Sequence, residues 1–157
     1  MIRSRWFPQG SDIAAPLAIR RDIFGRERDR LDEEAQQVVV YENDLPVAAA
    51  RLWWAADSFH LGEVGVLAEK RGKGYGDLLV RLALYKALLH HARLVRLAAT
   101  EDTEAFFARF GFQSEGKGPS VPMSLRSEDI KLRGHKKAGG EDCPGGTYGH
   151  CRHTIPG

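Results

Sequence analysis

Residues 60–76, from His60 to Gly76, read HLGEVGVLAEKRGKGYG. The first part alternates in polarity and carries Val64, Val66 and Leu67, side chains that suit a pleated, half-buried surface. The second part is a glycine-rich turn, Arg71-Gly72-Lys73-Gly74-Tyr75-Gly76, and an amphipathic run from Asp77 to Ala92 follows it. The pattern predicts a strand that passes straight into a helix. Glycines at such a junction let the backbone approach a ligand closely, and the first N–H groups of the helix have no partner within it. Those donors, the positive end of the helix dipole, and the cations Arg71 and Lys73 together make a site for phosphate.

Two familiar phosphate loops do not fit. The stretch lacks the terminal Lys-Ser/Thr of a P-loop, which argues against Mg-nucleotide hydrolysis. Its glycines at 72, 74 and 76 are each two apart, unlike the dinucleotide pattern G-x-G-x-x-G. What it matches is R-x-x-G-x-G, with Arg71, Gly74 and Gly76 at the fixed positions, behind a strand ending V-L-A-E. In these residues the chain resembles the GCN5-related N-acetyltransferases, the GNAT family. A second point of resemblance is Phe106-Phe107-Ala108-Arg109-Phe110-Gly111-Phe112, F-F-x-x-x-G-F where the family commonly shows F-Y-x-x-x-G-F. Val121 to Leu125, VPMSL, looks like the family's last strand, so the resemblance covers residues 1–126.

The resemblance implies an α+β fold with a mixed, mostly antiparallel central sheet flanked by helices. It implies acetyl-CoA as co-substrate, held in a splay between the central strand and its parallel neighbour. Arg71, Gly72, Lys73, Gly74, Tyr75 and Gly76 would then bind the pyrophosphate. The backbone of Val66 and Leu67 would bind the pantetheine, and Phe107 would flank the CoA arm. The acceptor would be an amine, on a small molecule or a peptide, and family members frequently pair as homodimers.

Amine acetylation needs a base. Counting back from Arg71, several family members place a catalytic Glu or His at the position of His60. In an unbroken strand His60 shares a face with Val64 and Val66, and an imidazole with a pKa near ~6.5 can take a proton from a substrate ammonium. Glu63 is the second candidate; it points to the opposite face unless a β-bulge intervenes. The acid is where the pattern departs, because Phe107 stands where the family's Tyr protonates the leaving thiolate. Tyr75 and Tyr85 are the substitutes, although Tyr85 also reads as core. The family's asparagine after the preceding strand is replaced by Thr100 or its neighbours. These departures keep a second reading open, an acyl-CoA-binding or sensing module with weakened catalysis.

Composition frames this picture. With 157 residues and 43% apolar residues the chain fits one globular domain with a full core. A net charge of +2 gives no global field for nucleic acid or an anionic membrane. The longest apolar runs fall far below the ~20 residues that span a bilayer, and MIRSRWFPQG lacks the apolar segment of a signal peptide. A cytoplasmic enzyme is the expectation.

In chain order, Ile2 to Phe7 reads as a strand, and Ser11 or Asp12 caps a helix with Ile13, Leu17, Ile23 and Phe24 on one face. Arg20, Arg21 and Arg26 read as solvated surface, as does the charged stretch from Arg26 to Glu34. Val38 to Tyr41 and Val47 to Trp54 form a hairpin around Asn43-Asp44. In the helix over 77–92, Leu78, Leu82, Tyr85, Leu89 and Ala92 are expected to face the sheet. Leu94 to Ala99 is the next strand, a short helix runs to Phe110, and Phe112 to Glu115 pairs with Val121 to Leu125. The domain then ends near 126. Residues 127–157 form a tail with seven of the 17 glycines, too poor in large apolar residues to build a core. The tail holds both cysteines, Cys143 and Cys151, with His135, His150 and His153. The spacing of Cys143, His150, Cys151 and His153 matches no standard zinc module, so no metal site is assigned; a metal or a redox response of this tail remains open.

Overall fold

The computed structural model describes residues 1–132. Seven strands form one sheet in the order β1-β2-β3-β4-β5-β7-β6. They are β1 (Ile2–Phe7), β2 (Gln36–Glu42), β3 (Leu45–Ala55), β4 (Ser58–Val66), β5 (Leu94–Ala99), β6 (Gln113–Ser114) and β7 (Val121–Arg126). Every neighbouring pair is antiparallel except β4 and β5. One face carries helix α1 (Ala14–Phe24), and the other carries α2 (Tyr75–Leu89) and the short α3 (Glu104–Ala108). Among the described residues no helix is long and apolar enough to cross a membrane. The cysteines and tail histidines singled out above lie outside the described residues.

The hairpins follow from local chemistry. Asn43 and Asp44 both take positive φ, 50° and 70°, which these two short polar side chains tolerate better than most and which matches the twist of a two-residue turn. Strands β2 and β3 are buried on both faces, which accounts for the run Val38-Val39-Val40 and the alanines 48–50. Gly65 in β4 marks the closest approach of α1. A Cβ there would lie 2.6 Å from Phe24 and 2.7 Å from Ile23, so only glycine lets the end of that helix pack down.

Two expectations are corrected. The face that α2 turns to the sheet is Tyr75, Leu79, Ala83 and Ala87 with Val80 and Leu84; of the expected set Ala92 is buried and Leu78 and Leu82 pack at the margin, whereas Tyr85 and Leu89 are exposed. The run is apolar on more than one side, and its phase is set at its start. Tyr75 donates its hydroxyl to Glu42 of β2 at 2.7 Å, and positions four apart from Tyr75 follow it inward. Each Leu or Val so buried contributes roughly 1.5–3 kcal/mol. The second correction concerns Arg20, expected on the surface and in fact fully buried.

Arg20 is buried because its partners are. Asp32, on a 3-10 turn at Arg30–Glu33, accepts hydrogen bonds from Arg20 at 2.6 Å, from Arg51 at 3.0 Å and from Gln37 at 3.0 Å. Arg51 also reaches Asp29 through both terminal nitrogens, at 2.7 and 3.0 Å. The charged stretch therefore folds back onto the sheet as a neutralised network that fixes α1 against β2 and β3. Burial pushes the Asp32 carboxyl up, but the hydrogen bonds from Arg20, from the Asp29 N–H and from Arg51 outweigh it and hold it well below the usual carboxylate range.

Removing the Asp32 charge would take from two buried guanidinium groups the carboxylate they share, leaving Arg51 with Asp29 and Arg20 with Glu63 at 3.6 Å. Asp32→Asn is expected to destabilise the fold by about 3–5 kcal/mol, measured by urea unfolding at pH 7. Asp32 titrates lower in the folded chain than in the unfolded one, so the unfolded chain takes up its proton first as pH falls. Its contribution is present above about pH 4 and is lost below it, so the gap between wild type and Asp32→Asn should narrow toward pH 2.

Candidate active site

Strands β4 and β5 pair over three residues only, Ser58↔Leu94, Phe59↔Val95 and His60↔Arg96. Beyond these they diverge. The divergence is accompanied by an irregularity in β4: the register against β3 shifts between Ala49 and Arg51, and Glu63 takes φ 49°. A non-glycine residue in that region costs on the order of 1–3 kcal/mol, the kind of strain found at functional sites. The opening is a cleft of about 620 Å³. Gly62 to Val66 line one wall, Leu97 and Ala98 the other, and Phe106 and Phe107 of α3 close one end.

The bulge decides which way the two candidate bases point. Val64 and Val66 pack toward α2, and Gly65 packs against Ile23 and Phe24 of α1. His60 stacks beside Trp53 with ring centroids 5.5 Å apart, and the indole lies against Gly62 on the α1 face. His60 therefore does not share the face of Val64 and Val66, as an unbroken strand requires; the extra residue puts it on the side of Glu63. Glu63 is nearly buried, with Arg20 at 3.6 Å and the exposed Arg26 at 3.2 Å. The His60 ring is half-buried, and among the described residues no hydrogen bond holds its nitrogens. Burial first, and the nearby Arg96 charge second, push its pKa below the ordinary imidazole value.

At the other end of β4 comes a 3-10 turn, Ala68–Lys70, and then the glycine loop. Gly72 and Gly74 take φ 81° and 90°, and Gly74 is the residue from which α2 starts. No side chain caps that helix, so its first N–H groups are open to an anion. Arg71 donates Nε to the Val66 carbonyl at 3.2 Å, tying the loop to the strand end. Leu67 gives its own N–H to Val47 at 2.9 Å and packs with the α1 cluster, whereas Val66 lines the cleft. Lys70 and Tyr75 both donate to Glu42, and Lys73 stands 3.9 Å from it. The Lys70 and Tyr75 hydrogen bonds lower the Glu42 carboxyl to about 2, and burial with the Glu42 bond pushes Tyr75 up to about 12.

These placements bear on the missing acid. The Tyr75 hydroxyl is committed to Glu42, and Tyr85 is exposed on α2. Phe107 is buried edge-on against Phe106 and Phe112 and lines the cleft, with Thr100, Asp102 and Thr103 as polar neighbours. Neither tyrosine lines this cleft. Sequence reasoning missed Glu42, which carries no motif; it read Arg26 as solvent-facing, and Arg26 is exposed, but its ion pair with Glu63, 37 residues on, left no local signal.

The comparisons with known proteins fit this geometry. Residues 33–114 match the family model described as an acetyltransferase (GNAT) domain. The chain belongs to the GNAT family. It is an acyltransferase whose co-substrate is acetyl-CoA, and the open splay, the uncapped helix start and the cations at Arg71 and Lys73 suit that molecule. Among curated proteins, none matches the chain. Among solved structures it is similar to an acyl-CoA N-acyltransferase from Pseudomonas aeruginosa, with TM-score 0.72 and 21% identity over 79% of this chain and 99% of that one. It is similar to ElaA of Escherichia coli, with TM-score 0.68 and 23% identity over 80% and 100% of the two chains. It is also similar to the PaiA N-acetyltransferase from Thermoplasma acidophilum in complex with coenzyme A, with TM-score 0.62 and 13% identity over 80% and 99%. At these identities the likeness is one of fold.

The loop gives a graded test. An L-residue at the left-handed Gly74 costs about 1–2 kcal/mol, so Gly74→Ala should bind CoA about tenfold more weakly by calorimetry. A Cβ at Gly76 would meet Phe106 at an ordinary 3.4 Å, so Gly76→Ala should keep the wild-type melting temperature.

Proposed function

We propose that residues 1–126 carry an N-acetyltransferase unit that moves the acetyl group of acetyl-CoA to a primary amine by direct attack, with both substrates held together. The observation that carries this reading is the single opening between β4 and β5. It is flanked by a helix start suited to a pyrophosphate on one side and by His60 on the other. Acetyl-CoA supplies a thioester carbonyl and a thiolate that leaves readily. The chain supplies placement. Arg71, Gly72, Lys73, Gly74, Tyr75 and Gly76 form the pyrophosphate cradle, Tyr75 through its backbone because its hydroxyl is held by Glu42. Gly62 to Val66 offer the strand edge for the pantetheine, Leu67 supports that edge from behind, and Phe107 packs along the arm.

His60 is the base in this reading. Its lowered pKa keeps the imidazole neutral at neutral pH, ready to accept a proton from the ammonium or from a water between them. Glu63 is held by Arg20 and Arg26 and serves to set the charge around the amine rather than to take its proton. In the transfer, the new N–C bond forms as the C–S bond breaks, His60 takes the nitrogen's proton, and the sulfur leaves with its electron pair. Among the described residues no tyrosine lines the cleft to protonate it, and a thiol with a pKa near ~8.5 leaves tolerably without one.

Free-thiol release from acetyl-CoA with a panel of amines tests the reading. His60→Gln should lower kcat about a hundredfold or more with the acetyl-CoA KM nearly unchanged, whereas Glu63→Gln should raise the acceptor KM. The wild-type kcat, at saturating acceptor, should rise with pH to half its plateau below pH ~6.5, because a lowered pKa frees the base at lower pH. Unchanged kcat in His60→Gln would remove His60 from this role.

A further inference from the structure

On the α1 face, at the foot of the splay, lies a second groove of about 320 Å³. Its walls are Trp53, His60 and Gly62 on one side and Arg96, Glu115 and Pro122 on the other. It shares Leu61, Gly62, Leu97 and Ala98 with the larger cleft, so the two meet through the gap between β4 and β5. The groove opens into the splay from the side opposite the α2 face, past His60.

The groove is built around one fixed indole. A Cβ on Gly62 would lie 3.0 and 3.1 Å from two ring carbons of Trp53, closer than real contacts comfortably allow, so glycine is what lets the ring lie on the strand. The Arg51 guanidinium stands 5.5 Å from the ring centroid, and it is itself held by Asp29 and by buried Asp32. His60 lies nearly parallel to the ring, 19° between planes. The charges opposite are spent on each other. Arg96 and Glu115 pair at 3.3 Å, and Glu115 also accepts from Ser124 at 2.8 Å. A polycation or a polyanion finds no net charge here to hold it. The volume lies at the small end of ligand pockets, on the order of 300–1,000 Å³.

We propose that this groove takes the acceptor and selects a small primary amine carried on a flat apolar body, an aromatic ring above all, with Trp53 as the residue that sets the choice. The inference rests on the acetyl-transfer reading above and adds the acceptor class to it. The ring of the acceptor packs against the part-exposed side of the Trp53–His60 stack, its amine turns into the gap at Gly62, and His60 is beside the nitrogen that must lose its proton. Aromatic side chains, which meet edge-to-face as readily as stacked, favour such a body over an equally long aliphatic chain.

The test uses the full chain, with 2-phenylethylamine and tryptamine set against spermidine and Nα-acetyllysine. Thiol release gives kcat and both KM values, and calorimetry with CoA present gives amine binding separately. The expected result is a preference for the two aryl amines of about tenfold or more in kcat/KM. Trp53→Ala should erase it through the acceptor KM, while the acetyl-CoA KM moves less than about twofold. Trp53→Phe should keep most of the preference, which separates a lost wall from a lost fold. Gly62→Ala, which displaces the indole, should weaken aryl-amine binding in calorimetry. Turnover that favours spermidine or the lysine derivative, or an aryl preference untouched by Trp53→Ala, overturns the inference and leaves acetyl transfer standing. Absence of both turnover and amine binding with every compound overturns it together with the transfer reading.

Discussion

The three-residue parallel contact between β4 and β5 is the constraint on which the site depends. A parallel pair that continued would satisfy the backbone of both strands and leave nothing to bind. Here the sheet closes at Ser58, Phe59 and His60 and then opens, leaving an apolar slot that passes between its two faces. The bulge at Glu63 sustains the opening by spending a residue on the α1 side. The strain of a positive φ there is offset by two arginines that hold the carboxylate.

Stability and chemistry share parts in this fold. Arg20 belongs to the buried network that fixes α1, and it is also one of the two cations on Glu63. Arg51 ties the same network to Trp53, so the wall of the second groove is held by the group that holds the helix. On the opposite end, Glu42 gathers Lys70, Lys73 and Tyr75 under the glycine loop. That cluster fixes where α2 begins, and hence which of its faces reaches the core.

The parts legible in the sequence were those with short-range signals. The strand-turn-helix at 60–76 and the hairpin at Asn43-Asp44 state their geometry within a few residues, and the structure has them in place. The α+β class followed. What the sequence could not carry were phases and long-range partners. Leu78, Leu82, Tyr85 and Leu89 have the spacing of a buried stripe, but Tyr75 and its distant Glu42 set the helix so that Leu78 and Leu82 pack only at the core's margin and Tyr85 and Leu89 stand outside it. Arg20 reads as surface until Asp32, twelve residues on, folds over it. The direction of His60 turned on a bulge that propensity does not encode, because it arises from the pairing of β4 with β3. Trp53 in the groove and Trp54 over Phe59 are neighbours in sequence on opposite faces, and only the register tells which is which.

Amide hydrogen exchange with and without CoA tests the central claim, that the splay and the glycine loop together form one binding surface. The account predicts slowed exchange in two separate segments on adding CoA, residues 61–66 and residues 72–78, with β1 and β2 unchanged. Slowing confined to other segments, or none in either one at saturating CoA, would contradict it.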